Sequence, residues 1–401
     1  MMLTLKKDHA VLLALLRYEL FGIEPESISA DTDWSAVFEE GIRHAVSPLL
    51  FRGLNHMESV PEEVLSRAYA MAVSSAQMSE QMLQEQQKII DCLHGQGIPC
   101  AILKGFSAAC MYPHPELRVP GDIDLYVGEE NFSKSCRALE EFQFTLARRS
   151  EKHWEYRKNG IDLEVHPAVS KFPDTEKGNF TREFVSSAWQ HIETAQIMGI
   201  SFPCLEGEYQ LFSLLTHMEN HVTSDGIGLR QLCDWAVAVN HLRSRIDDGV
   251  LNHLEQCGLL YFAKSVTKLC EVYLGMPPAA WSEGVSEETL DALMRDILEG
   301  GNFASQGEHR AYAYVLTDVY HKSENKKKSI LCTYFKFVRR KVRYEYPWAK
   351  SWLWVPLFSI FFPIRVAVRV ILGKRKKFRI RDTIRCGKER AELLQSLNLY
   401  K

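Results

Sequence analysis

Three carboxylates and a lysine stand at spacings that suit metal-assisted phosphate chemistry. Asp122-Ile123-Asp124-Leu125-Tyr126-Val127 alternates, so a strand there turns Asp122 and Asp124 to one face and Ile123, Leu125 and Val127 to the other. Ile161-Asp162-Leu163-Glu164-Val165-His166 repeats the pattern and gives Asp162, Glu164 and His166 a common face. Like charges crowded on one face are costly unless a cation sits between them. If the two strands are neighbours, acids from both converge. Upstream, the apolar run Cys100-Ala101-Ile102-Leu103 stops at Lys104-Gly105, where a buried strand hands over to a helix starting at Phe106 or Ser107. A glycine there lets a ligand approach the backbone, and the free N–H groups of the next turn favour phosphate. Hard oxygen donors beside such a turn are what Mg²⁺ carrying a nucleoside triphosphate requires. The reaction class implied is phosphoryl or nucleotidyl transfer. A lone Asp-x-Asp is more often a turn residue followed by an exposed strand charge; Gly105 before it and Glu164 after it favour the site.

In Leu103-Lys104-Gly105, Tyr112, Arg118, Asp122-Ile123-Asp124-Leu125 and Leu163-Glu164-Val165-His166 the chain resembles a bacterial family of the polymerase-beta-type nucleotidyltransferase superfamily, the "uncharacterised nucleotidyltransferase" or NTP-transferase-5-like group. His217, His221, Arg230 and Asp234 are similar to that family as well, and the likeness covers roughly residues 1–300. It implies an α+β fold, a polymerase-beta-like mixed sheet flanked by helices, with N-terminal and C-terminal helical regions. It also implies that Asp122 and Asp124 hold two Mg²⁺ ions, with Mn²⁺ as the substitute, and that Glu164 is the third metal carboxylate and activates the acceptor. Lys104-Gly105 replaces the Gly-Ser of the wider superfamily, exchanging a hydroxyl for a cation; Lys104, Gly105 and Arg118 are the expected nucleotide contacts. Two ions about 3.5–4 Å apart would clamp the attacking and leaving oxygens of an in-line displacement. The implied reaction moves a nucleoside monophosphate from an NTP, ATP first among them, onto a small molecule, glycan or lipid precursor. Two alternatives stay open: a toxin-like protein adenylyltransferase, or an inactive nucleotide-binding or membrane-associated scaffold, against which the retained acids count.

Asp162, His166, His217, His221, Arg230 and Asp234 are candidates for an acceptor pocket. His217 and His221 lie one helical turn apart in His-Met-Glu-Asn-His, which is not His-Glu-x-x-His, and no third zinc ligand is evident. They are expected to pack or hydrogen-bond at an interface, one of them lining the pocket. Arg230 and Asp234, four apart on the next helix, are expected to pair.

The elements that must position these residues divide into four regions. Residues 1–98 read as helical, with a long helix opening at Pro61-Glu62-Glu63 and running through Met71, Met78, Met82 and Ile89 to His94-Gly95. Residues 99–206 form the catalytic core, a mixed sheet with helices on one face, in which Asn159-Gly160 is a strong hairpin signal between strands His153–Arg157 and Ile161–His166. One further apolar run, Ile197 to Leu205, closes it. Residues 207–310 are a helical domain and 311–401 a basic, amphipathic helical tail.

At 401 residues and 46% hydrophobic, the chain supports sizeable cores. Ten cysteines without a Cys-x-x-Cys pair argue against a zinc ribbon or a disulfide scaffold and for a reducing compartment. The apolar run Ala10 to Leu16 is followed by Arg17-Tyr18-Glu19 and not by a small-residue cleavage site, so it reads as an amphipathic first helix of a cytoplasmic protein. The net charge of −3 conceals a division. Residues 322–390 carry 21 Lys and Arg against 4 Asp and Glu, a balance of +17, which leaves 27 against 47 elsewhere, a balance of −20. Residues 352–372 are mostly apolar but contain Pro356, Pro363, Arg365 and Arg369, a poor spanning segment. They read as an interfacial helix or helical hairpin on the inner face of an anionic membrane, with Trp348, Trp352 and Trp354 near the headgroups and Lys374-Arg375-Lys376-Lys377 on the lipid. The equal alternative is that the tail packs on the protein's own acidic body. Nucleic acid is disfavoured as a partner, because the aromatics cluster with aliphatics and not among the basic residues.

Overall fold

The computed structural model describes residues 3–302, apart from 27, 151, 171, 173–175 and 225, and beyond them 335, 338–339, 342, 346, 349, 351–371 and 380–399. The fold is α+β. Four helices lead: α1 (Lys7–Phe21), α2 (Trp34–Arg43), α3 (Phe51–His56) and α4 (Glu62–His94). In α1, Val11, Leu12, Leu13, Leu15 and Leu16 are all buried, so the expected amphipathic helix is instead enclosed on most of its circumference. The unbroken apolar run Val11 to Leu16 leaves no polar stripe wide enough to face water. α4 is the long helix foreseen from Pro61, with Glu62 and Glu63 in its first turn. At 1.5 Å per residue it is about 50 Å long, enough to serve two cores. Val64, Ala68 and Ala72 join the large helical core, while Met82, Leu83, Ile89, Ile90 and Leu93 join the core under the sheet.

The sheet contains β1 (Ala101–Ile102), β2 (Ile123–Tyr126), β3 (Thr145–Arg149), β4 (Trp154–Lys158), β5 (Ile161–His166), β6 (Ile192–Ile197) and β7 (Ile200–Leu205), in the order β3-β4-β5-β2-β1-β7-β6. It is mixed: β2 runs parallel to β5 and β1 parallel to β7, and the remaining pairs are antiparallel. The expected single apolar run to Leu205 is a hairpin, because the chain reverses at Met198-Gly199 with both residues at positive φ and Ile192–Ile197 supplies the partner strand. Between strands lie α5 (Phe106–Ala109), α6 (Gly128–Glu141) and α7 (Glu176–Ser186); α8 (Gly207–Val222), α9 (Leu229–His241), α10 (Asp248–Gln256), α11 (Leu260–Leu274) and α12 (Glu287–Gly300) follow the sheet. Helices on one face were expected, yet both faces carry some. α4 and α6 cover one face through Ile123, Leu125, Leu163 and Val165. On the other, Val185 of α7 and Tyr209 of α8 pack on Ala101, Leu103, Tyr126 and Leu205. That second face bears Asp124 and Glu164, since residues two apart on a strand point the same way.

The N-terminal helices share a single apolar core with α8, α9, α11 and α12, from Leu12 and Phe38 to Trp235, Phe262 and Leu293. The helix Ile380–Ser396 docks onto it with Leu393 and Leu394, joined by Leu397 just past its end. Arg390 holds the contact, donating to both oxygens of Asp296 at 3.0 Å and to the Val222 carbonyl at 2.6 Å. The helix Val355–Ile371 continues through Pro363 and packs Phe358 and Phe362 against Val338, Val342 and Ala349. Among the described residues no helix is long and apolar enough to cross a membrane. Trp348 and Lys374 to Lys377 lie outside the described residues.

Candidate active site

Register brings the acids together. β2 and β5 pair with Asp124 directly opposite Glu164, both on the face away from the α4 core. β1 lies on the other side of β2, and beyond its last residue Leu103 donates its N–H to the Asp124 carbonyl at 3.1 Å. Lys104 is thereby delivered to Asp124: its Nζ stands 2.6 Å from Oδ1 and 3.2 Å from Nδ1 of His217 on α8. A lysine ammonium only donates, so His217 accepts at Nδ1 and is neutral. Burial, with Lys104 and His221 adding, holds the His217 imidazole well below its ordinary pKa. Gly105 then turns with φ +62°, a region that side-chain-bearing residues rarely adopt, and a Cβ on it would lie 3.5 Å from the Asp122 carbonyl. The turn sits directly against the strand of acids.

Donor oxygens of Asp122, Asp124 and Glu164 all lie within 4.8 Å of one another. Asp124 is 3% exposed, Glu164 half-buried and Asp122 exposed at the rim. His166 Nε2 stands 3.0 Å from Asp124 Oδ1 and 3.2 Å from Glu164 Oε2, bridging the two strands. Burial would raise the Asp124 carboxyl, but Lys104 and His166 outweigh it and hold it well below the usual carboxylate range. Asp122 moves the opposite way, pushed up above all by the charge of Asp124. Glu164 also rises, through burial first, with both aspartates adding. Lys104 resists the effect of burial because Asp124, Asp122 and Glu164 surround it, and His166 resists it through its hydrogen bonds to Asp124 and Glu164. The cluster is thus short of positive charge: one acid is held ionised by the chain's own cations and two are driven toward protonation. Oxygen donors in such deficit fit a hard divalent cation.

The sequence reading missed His153. Its Nδ1 lies 3.3 Å from Glu164 Oε2, and His153, Glu164 and His166 form a second group whose donor atoms lie within 4.8 Å of one another. The signal was available in the Asn159-Gly160 turn. With Lys158 opposite Ile161, counting back along the hairpin puts Glu155 opposite Glu164 and His153 beside His166.

A protein-family model described as an uncharacterised nucleotidyltransferase matches residues 30–275, a span holding every residue of this cluster. The chain belongs to that family. No curated protein and no solved structure matches it. In this member of the family the remaining candidates separate. His217 and His221 both reach the site side of α8, their rings 4.5 Å apart, and burial followed by Lys104 lowers His221 to about 4. Arg230 stands beside the rim, its guanidinium 3.7 Å from where a Cβ on Gly121 would be. Asp162, although it shares a strand face with Glu164, is exposed one step nearer the turn and paired with Arg157 at 2.6 Å. Arg118 commits its guanidinium to Asp234, Nε to Oδ1 at 2.7 Å and Nη2 to Oδ2 at 2.8 Å, and Tyr112 donates to Oδ1 at 2.7 Å. The pairing expected between Arg230 and Asp234 gives way to this fork, because a bidentate guanidinium satisfies both oxygens of Asp234 at once.

Proposed function

We propose that the protein transfers a nucleoside monophosphate from an NTP, ATP first among them, to an acceptor hydroxyl, amine or phosphate, in a reaction dependent on divalent ions. The observation that carries this reading is the convergence of Asp122, Asp124 and Glu164 beside Lys104 and the Gly105 turn. Those three carboxylates would hold Mg²⁺, or Mn²⁺ in its place, which when bound supplies charge neutralisation at the phosphates and lowers the pKa of the attacking group. Glu164, whose carboxyl is raised by burial, accepts the acceptor's proton as its oxygen or nitrogen bonds to the α-phosphorus. The bond from that phosphorus to the bridging oxygen breaks and pyrophosphate leaves. Lys104, turned from Asp124, gives its ammonium to the phosphates, and His166 keeps Asp124 and Glu164 aligned. The acceptor classes that suit the reading are a small molecule, a glycan or a lipid precursor. The compartment we propose is the cytoplasm, in keeping with nine described cysteines that are all free thiols.

The test is incubation of the purified chain with each α-labelled NTP and Mg²⁺, following pyrophosphate release, alongside calorimetric titration of the ion. Release and ion binding that both disappear in Asp124→Asn support the reading. Ion binding that survives unchanged in that variant removes these carboxylates from the site.

A further inference from the structure

The helix Val355–Ile371 is apolar on two sides, and among the described residues one of them is packed while the other stands exposed. Phe358 and Phe362, one turn apart, are 6% and 7% exposed and pack with Val338, Val342 and Ala349. Leu357, Ile360, Phe361, Ile364 and Val368 recur at helical spacing on the other side, and Ile360 and Leu357 stand 65% and 57% exposed. Trp352 and Leu353, just before the helix, are 68% and 67% exposed. Arg365 is turned off this face, its Nη1 donating to the Tyr346 hydroxyl at 3.0 Å. A monomeric surface rarely leaves so many large apolar groups in one row without a partner to cover them.

Charge selects the partner. The row lies within residues 322–390, whose balance is +17, with Lys374-Arg375-Lys376-Lys377 following the helix directly in sequence. A second copy docking face to face would bring two such segments together and meet their mutual repulsion. An anionic bilayer offers acyl chains to such a row and negative charge to the basic stretch of sequence around it. Among the described residues no helix is long and apolar enough to cross, so the arrangement proposed is a helix lying flat. We propose that the face formed by Trp352, Leu353, Leu357, Ile360, Ile364 and Val368 docks this protein on an anionic lipid surface, along the membrane plane.

The experiment is flotation of the full-length chain with phosphatidylcholine vesicles, with and without about 30 mol% phosphatidylserine, at low and high salt. The wild-type chain is expected to float with the anionic vesicles and to be released by high salt. Leu357→Glu/Ile360→Glu/Ile364→Glu, three exposed positions away from Phe358 and Phe362, should reduce the bound fraction at least about tenfold. Replacement of Lys374 to Lys377 by glutamine leaves the apolar row in place and should weaken binding to anionic vesicles alone. Equal flotation of the wild type and the triple-glutamate variant overturns the proposal. So does a concentration-dependent dimer in lipid-free solution that the same three substitutions dissolve, since the row would then be a contact between copies.

Discussion

Two charge clusters, one around Asp234 and one around Asp124, both act on Arg230, and they are built on opposite principles. Around Asp234, each acceptor oxygen meets a donor: Arg118 takes both, Tyr112 shares one, and all three residues are buried. Around Asp124, three carboxylates crowd toward one lysine and one bridging histidine, and the acid at the rim is open to solvent. A charge network that closes on itself serves the fold. One that leaves two acids pushed up in pKa and an edge exposed has been left incomplete for something that arrives from outside.

That contrast can be broken first at Asp122. Asp122→Asn should cost about a thousandfold or more in nucleotidyl transfer, while the thermal midpoint stays level or rises, because the charge that repels Asp124 is gone. A midpoint that drops while activity persists would make Asp122 part of the framework. Asp234→Asn should do the reverse. It leaves the buried Arg118 without its counter-charge, so urea denaturation should register a loss of about 3–5 kcal/mol, with turnover of the folded fraction changed far less than in the Asp122 variant. Should stability hold, the Asp234 cluster is not the closed network described.

A third buried acid sharpens the distinction between incomplete and merely mismatched. Glu19 has one oxygen buried with no hydrogen-bond partner and its other oxygen 3.5 Å from the half-exposed Arg52. Burial pushes its carboxyl up to about 7. The folded state therefore binds this proton more tightly than the unfolded chain, so the contribution is complete below about pH 4.5 and is lost as pH rises through about 7. Denaturation at pH 5 and pH 8 should show the wild type losing about 1–3 kcal/mol more over that interval than Glu19→Gln does. Parallel pH profiles for the two proteins would refute the assignment. The smallest effect belongs to Asp162. Its exposed pair with Arg157 predicts a stability change under about 0.5 kcal/mol for Asp162→Asn, with steady-state turnover within about twofold of wild type; a collapse in turnover would return it to the site.

The convergence of acids was legible because alternation is a local property: Asp122, Asp124 and Glu164 each announce their face within six residues. The turn at Asn159-Gly160 was equally local, and His153 escaped only because its place follows from counting across the hairpin and not from its own neighbours. The Arg118 fork had no such signature. Its partner lies 116 positions away on α9, and nothing near either residue marks the pairing; the nearer choice for Asp234, Arg230, was the one that helical spacing suggests. The strand Ile192–Ile197 was hidden for a different reason, since its hairpin turns on Met198, a residue that rarely takes positive φ. The enclosed α1 shows how a tertiary neighbour overrides a local pattern: α2 and α3 follow it in sequence, but α11, which also packs on it, comes from far downstream.

Lys104 carries one further consequence. Its ammonium is the chain's own counter-ion for Asp124, and it can neutralise that acid or an incoming phosphate, but not both at full strength. Whatever relieves Lys104 of the first duty releases it for the second, so occupancy by a divalent ion and affinity for a triphosphate would rise together, each by the same factor. Nucleotide titrations at low and saturating Mg²⁺ would read that reciprocity directly, and Lys104→Met should abolish this share of it.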